Sequence, residues 1–335
     1  MTNDKKFPLS CVYLTKKCPR RCEYCRIRDS KLQGPELTTE QWLNAFKILK
    51  DAGVEFNLIL GNEPFMLKEE LPKIIEGIKD YNYGIYSSAP KELFEQYCDD
   101  VVNAGLKNFS IPIDLVNIDT EYKGDIKDKG WQGLENLLAM KEKGVEELLG
   151  IITVHKMNCR NLVDIVKYVS QFGLTVGLNV IHWDQDGKYD FFPPKGELSE
   201  YILDEEDKLA LKEQLKELLR MKNDKEVNIQ NNANWFADLF RYLDNLNWHC
   251  TKDEILTIDA DGSFRVCGYR KGENICKFNV FNFQDNLEEF LAAWHKDRQE
   301  CPGCFWSYPY LSEQWNDTAN HFMDLDKIFK EQLNK

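Results

Sequence analysis

Cys18, Cys22 and Cys25 stand at a C-x3-C-x2-C spacing, directly after the apolar run Leu9–Thr15. Soft thiolates suit iron–sulfur clusters and zinc. A closed structural site takes four ligands. Three in one tight loop leave a metal position open, where a substrate-like molecule can bind. The alternative is a zinc loop completed by a distant residue. A second set comes late in the chain: Cys250, Cys267, Cys301 and Cys304. Asp261-Gly262 is a hairpin signal that brings the first two together, and Cys301-Pro-Gly-Cys304 supplies a C-x2-C pair. These four form a complete ligand set, which taken alone reads as a structural zinc ribbon. Cys276 is left over, either as a substitute ligand or as an ordinary thiol. Cys11, Cys98 and Cys159 read as small buried hydrophobes.

The elements that must position these groups follow from periodicity. Apolar strand-like runs cover Leu9–Thr15, Val54–Leu60, Tyr83–Ser87, Leu106–Ile113, Leu148–Val154 and Thr175–Ile181. Amphipathic stretches alternate with them. The first opens at Thr38, which pairs with Gln41 as a capping box, and Gly53 closes it. Further helices are expected near Lys68–Lys79, Lys91–Ala104, Trp131–Lys143 and Asn161–Phe172. Such alternation predicts βαβ units and a parallel sheet covered on both faces. Six units are too few for an eight-fold barrel. After His182 the pattern changes to a Pro-containing loop and helices near Asp204–Met221, Asn234–Leu243 and Leu287–His295.

The C-x3-C-x2-C loop after the first strand resembles the hallmark of the radical S-adenosylmethionine (SAM) superfamily. That resemblance implies a [4Fe–4S] cluster on Cys18, Cys22 and Cys25, whose open iron chelates SAM. One electron then cleaves SAM to a 5′-deoxyadenosyl radical, which abstracts a hydrogen atom from substrate. Gly61-Asn62-Glu63-Pro64, at the end of the second strand, is similar to the family's Gly-Gly-Glu-Pro motif, with Asn62 in place of the second Gly. Gly61 permits close backbone approach, and Glu63 is an acceptor for the SAM ammonium. The resemblance further places Tyr24 against the adenine. Ser87, Ser110 and Asp114 fall where ribose and carboxylate contacts sit, and Asn179 and Ile181 near the adenine. Each of these also has a bland reading as loop packing or capping.

Cys250 through Gly262 to Cys267 resembles the start of the SPASM and Twitch extensions of that superfamily. The shorter Twitch form, with one auxiliary [4Fe–4S] cluster, fits the cysteines present. The expected fold is therefore α/β: a partial (β/α)6 radical SAM barrel with a small C-terminal Twitch-like α+β extension. Its expected divisions are a barrel over 1–203, a helical bridge over 204–245, an auxiliary-cluster region over 246–310 and a C-terminal helix over 311–335.

On the substrate side, His182 and Asp184 follow the sixth strand and are the catalytic candidates, with Trp183 as pocket wall. His182 can orient a polar substrate or move a proton. His155 is a weaker candidate. Three functions are open. One is hydrogen abstraction from a small polar molecule, leading to oxidation or epimerisation. Another is modification of a peptide or protein, and the third is an iron–sulfur or zinc-binding electron-transfer module that does not cleave SAM. The Gly-Asn-Glu-Pro motif speaks against the third. A closed four-thiolate site suits electron transfer, as in the similar inosamine dehydrogenase of aminoglycoside pathways.

The 335 residues carry 43 Lys+Arg against 56 Asp+Glu, a net charge of −13, which argues against a large nucleic-acid substrate. No apolar run approaches the ~18 residues of a membrane helix, and Met1–Ser10 lacks a signal-peptide core. A cytoplasmic location, where eleven cysteines mean metal ligation rather than disulfides, is the expectation. The electron donor is expected to be an acidic flavodoxin or ferredoxin. Its dock is expected on Lys16, Lys17, Arg20, Arg21, Arg26 and Arg28, which flank the first cysteine set.

Overall fold

The computed structural model describes residues 7–26, 35–118, 125–245, 249–250 and 255–305. Arg28 and the helix expected over 311–335 lie outside these. Six strands form where the apolar runs predict them: β1 (Leu9–Tyr13), β2 (Phe56–Leu60), β3 (Tyr83–Tyr86), β4 (Asn108–Pro112), β5 (Glu147–Val154) and β6 (Thr175–Val180). They pair in parallel and in chain order. The crossovers are α1 (Thr39–Asp51), α2 (Glu70–Ile78), α3 (Lys91–Asn103), α4 (Asp125–Glu142) and α5 (Leu162–Ser170). The α1 capping box is formed: Gln41 N donates to Thr38 Oγ1 at 3.3 Å and Thr38 N to Gln41 Oε1 at 2.9 Å.

Side chains alternate across the sheet, and both faces are buried. Val12 and Ile59 join the larger core with the helix residues Trp42, Phe46 and Ile74. Leu9, Cys11 and Tyr13 of β1 and Leu58 and Leu60 of β2 face the other way and pack with Phe191 and Ile255. The result is an open, partial barrel whose concave face belongs to the second set.

The hairpin at Asp261-Gly262 is present, as β7 (Ile255–Ile258) and β8 (Phe264–Arg265). Gly262 sits at φ +83°, the left-handed region that the turn requires. The sequence did not reveal that β7 pairs in parallel with β1, extending the sheet to the order β6-β5-β4-β3-β2-β1-β7-β8. Residues 228–231 run along the other edge. Val176 N donates to Asn228 O at 2.8 Å and Gln230 N to Val176 O at 2.8 Å. Asn231 grips the Leu178 backbone with both side-chain amide atoms, at 2.7 and 2.9 Å. Backbone groups that an edge strand would leave unpaired are thus satisfied. The remaining helices are α6 (Glu205–Asn223), α7 (Ala233–Asn245) and α8 (Leu287–Gln299). Among the described residues no helix is long and apolar enough to cross a membrane.

Candidate active site

The first cysteine loop leaves β1 and turns back on itself, Cys25 N donating to Cys22 O at 3.0 Å. Arg26 N then donates to Phe191 O at 2.8 Å, tying the loop to the segment after β6. Burial pushes the Cys18 thiol up to about 12, and a metal would bind its thiolate. The loop after β2 packs against it. Gly61 has φ +147°, and a Cβ there would lie 3.4 Å from Thr15. Asn62 Nδ2 donates to Lys16 O at 2.5 Å. The amide that replaces glycine in the tetrapeptide therefore joins the two loops.

Glu63 is fully buried, and four donors surround its carboxylate. Ser87 Oγ and Ser88 Oγ donate to it at 2.5 Å each, Ser88 N at 2.9 Å and Phe65 N at 3.0 Å. Burial nevertheless raises its carboxyl above the ordinary range. Ser87 is spent on Glu63 and on Ala89 N, 2.8 Å away. Asp114, at the end of β4, is also fully buried. Its Oδ1 accepts from Thr153 N at 3.0 Å, and its Oδ2 from Lys129 Nζ at 2.9 Å and from the Tyr24 hydroxyl. Lys129 Nζ also donates to Tyr24 Oη at 2.7 Å. Burial opposes the charge on Asp114, but the Lys129 ammonium holds its carboxyl below the usual range. Lys129 lies on a helix whose sequence carries no motif, and nothing in its spacing signals this role.

A cavity of about 510 Å³ occupies the concave side of the sheet. Tyr24, Cys25, Gly61 and Asn62 line it at the cysteine end, with Ser110, Asn179, Ile181 and His182 further along. Glu63, Ser87, Asp114 and Asp184 are not among its lining residues. Ser110 reaches the wall because its strand parity matches the concave face, whereas Ile111 beside it joins the core. The His182 ring packs on Phe192 and Tyr269, with centroids 5.3 and 5.1 Å away. Burial drives its pKa down to about 3, so the imidazole is neutral. Asp184 Oδ1 instead organises the following turn, accepting from Gly187 N at 2.9 Å. His155 likewise holds a turn, its Nδ1 accepting from Met157 N at 3.2 Å. Trp183 borders a separate small cavity of about 100 Å³.

Cys250, Cys267, Cys301 and Cys304 line one further cavity, of about 60 Å³. Cys276 is not on its wall; its Sγ lies 3.7 Å from Glu273 O. Burial pushes Cys250 to about 12 and Cys267 to about 11. Four soft thiols around one space are a complete ligand set for an iron–sulfur cluster. Arg265, fully buried between Asp259 (3.0 Å) and Asp190, stacks on Phe191 at 4.9 Å, and its Nε donates to Cys267 O at 3.4 Å.

The cations expected to form a docking patch are largely engaged. Lys16 pairs with Asp261 at 3.2 Å, Lys17 with Glu36 at 3.5 Å, and Arg26 with Glu197. Arg20 donates to Ser88 O at 3.0 Å. Lys16, Lys17 and Arg26 are thus ion-paired, while Arg21 is exposed.

Residues 12–169 match the family model described as Radical SAM superfamily. A Methanococcus maripaludis protein named a probable GTP 3′,8-cyclase is 27% identical over 303 residues, covering 86% of this chain and 94% of that one. Other curated relatives are matched over only 45%, 35% and 52% of their own length, so the chain spans about half of those proteins or less. Two solved structures share the fold. Streptococcus suis SuiB has a TM-score of 0.60 at 16% identity, with 88% of this chain and 68% of that chain covered. The other, titled native anSMEcpe with bound AdoMet and Cp18Cys peptide, has a TM-score of 0.57 at 16% identity, with 90% and 87% covered.

Proposed function

We propose that this chain, a member of the radical SAM superfamily through residues 12–169, abstracts a hydrogen atom from a small polar substrate without phosphate and oxidises the carbon so exposed. The superfamily's cofactors, a [4Fe–4S] cluster and SAM, fit the first loop: three soft thiols stand on it, and Cys25 borders a cavity. An auxiliary cluster fits Cys250, Cys267, Cys301 and Cys304. When bound, the first cluster supplies the electron that splits SAM to a hydrogen-abstracting radical, and the second supplies an electron sink.

The chain's own residues divide the remaining work. Gly61 and Asn62 take the amino-acid end of SAM, and Tyr24, Ser110, Asn179 and Ile181 its nucleoside. Glu63, Ser87 and Asp114 act from behind the wall, holding the Ser88 backbone and the Tyr24 hydroxyl in place. Neutral His182, on the cavity wall, orients the polar substrate, and Asp184 shapes the turn that follows it. A flavodoxin or ferredoxin supplies the external electron.

One observation carries the oxidative reading. Cys267 lines the thiol cavity, while Tyr269, two residues later, lines the large cavity, and Tyr269 N lies 3.4 Å from Cys267 Sγ. Three residues of chain thus join the two cavity walls. The methanococcal relative's name points to GTP. However, no Lys or Arg is among the described residues lining the cavity, which favours a substrate without a triphosphate. A peptide substrate is the second reading. It is supported by the fold shared with SuiB, solved with its precursor peptide SuiA, and with anSMEcpe, solved with a peptide.

The test uses anaerobically reconstituted protein with a strong reductant and SAM. Wild type is expected to release 5′-deoxyadenosine and methionine; failure to do so sinks the reading. With Cys301→Ala and Cys304→Ala together, SAM cleavage is expected to continue while oxidised product disappears. A folded double variant that makes product at the wild-type rate would rule out the sink.

A further inference from the structure

The thiol cavity has two side chains beside it whose chemistry goes beyond ligation. Tyr189, 5% exposed, reaches in from the segment after β6. Its hydroxyl lies 3.6 Å from Cys301 Sγ and 3.3 Å from Gly303 O. Gly303 O also accepts from Gln185 Nε2 at 2.9 Å, and the Tyr189 hydroxyl sits between that carbonyl and the sulfur. Arg298 of α8 lines the cavity, and its guanidinium donates to Cys250 O at 2.7 Å. One hydroxyl and one cation thus flank four thiols.

Adding an electron to an iron–sulfur cluster adds one negative charge. A fixed cation and a donor to sulfur both interact more strongly with the reduced form, and hence raise the reduction potential. We propose that Tyr189 and Arg298 are positioning residues that tune the auxiliary site towards electron acceptance. This rests on the reading that the four thiols hold a cluster. The aromatic contacts fit that direction of flow. Tyr189 packs on Phe192 at 6.1 Å, and Phe192 on Tyr269 at 4.6 Å, so the tuned sulfur lies at the end of a ring series that starts on the substrate cavity.

The experiment is a redox titration of the reconstituted two-cluster protein, followed by electron paramagnetic resonance, with iron and zinc analysis of each sample. Tyr189→Phe and Arg298→Gln are expected to shift the auxiliary signal to lower potential and leave the signal of the SAM-binding cluster in place. Arg298→Lys, which keeps the charge, is expected to stay nearer wild type. Should Arg298→Gln fail to load iron, Tyr189→Phe decides alone, since it removes one hydroxyl and keeps the ring packing. Full iron loading with unchanged auxiliary potential in Tyr189→Phe and Arg298→Gln overturns the tuning. An equal shift of both clusters overturns it as well. Stoichiometric zinc in the wild type overturns the cluster reading itself, an outcome the metal analysis separates from the other two.

Discussion

Tyr24 and Asp114 are 90 residues apart in the chain and joined by a hydrogen bond, with Lys129 donating to both. The first cysteine loop is thereby fastened to the end of β4 and to α4 through one buried ion pair. Removing one partner of such a pair strands the other charge. Lys129→Met is expected to cost about 3–5 kcal/mol of stability. Tyr24→Phe, which leaves the pair intact, is expected to cost less, about 1.5–3 kcal/mol. Urea unfolding of the two variants checks the order. Equal, small losses would mean that solvent reaches Asp114.

Glu63 gathers donors from Ser87, Ser88 and Phe65 rather than facing the cavity. Glu63→Ala is therefore expected to lose stability, by about 1–3 kcal/mol for stranded donors, together with SAM affinity. Thermal unfolding and equilibrium SAM binding are measured side by side. A variant with intact stability and weakened SAM binding would place Glu63 on the ligand instead.

Burial lowers His182 to about 3 and His155 to about 4. In the unfolded chain each takes a proton near pH 6.5, whereas the folded protein resists until pH 3–4. Their contribution is present above about pH 6.5 and is lost as pH falls, at up to ~1.4 kcal/mol per pH unit for each histidine. His155→Gln is expected to flatten the fall in urea midpoint between pH 7 and 5. An unchanged slope would show that His155 is protonated in the fold.

Cys276 lies away from the thiol cavity. Cys276→Ala is expected to keep the iron content and both cluster signals of the wild type, whereas Cys267→Ala loses the auxiliary signal alone. Loss of iron in Cys276→Ala would return it to the ligand set.

Sequence alone determined what is local. The C-x3-C-x2-C spacing, the capping box at Thr38 and the Asp261-Gly262 turn depend on neighbours a few residues away, and so do the apolar runs that became β1–β6. Thiolate chemistry then follows from residue type. Only the tertiary structure decided which of the expected residues face the cavity. Ser110, Asn179 and Ile181 do, while Glu63, Ser87 and Asp114 spend their polar atoms on buried partners. Lys129, Tyr189, Arg265 and Arg298 carry no signal in the sequence, because each acquires its role from a partner that folding brings in from another element. The same holds for β7, which supplies its own hairpin signal but finds β1, about 245 residues earlier, only once the sheet is assembled.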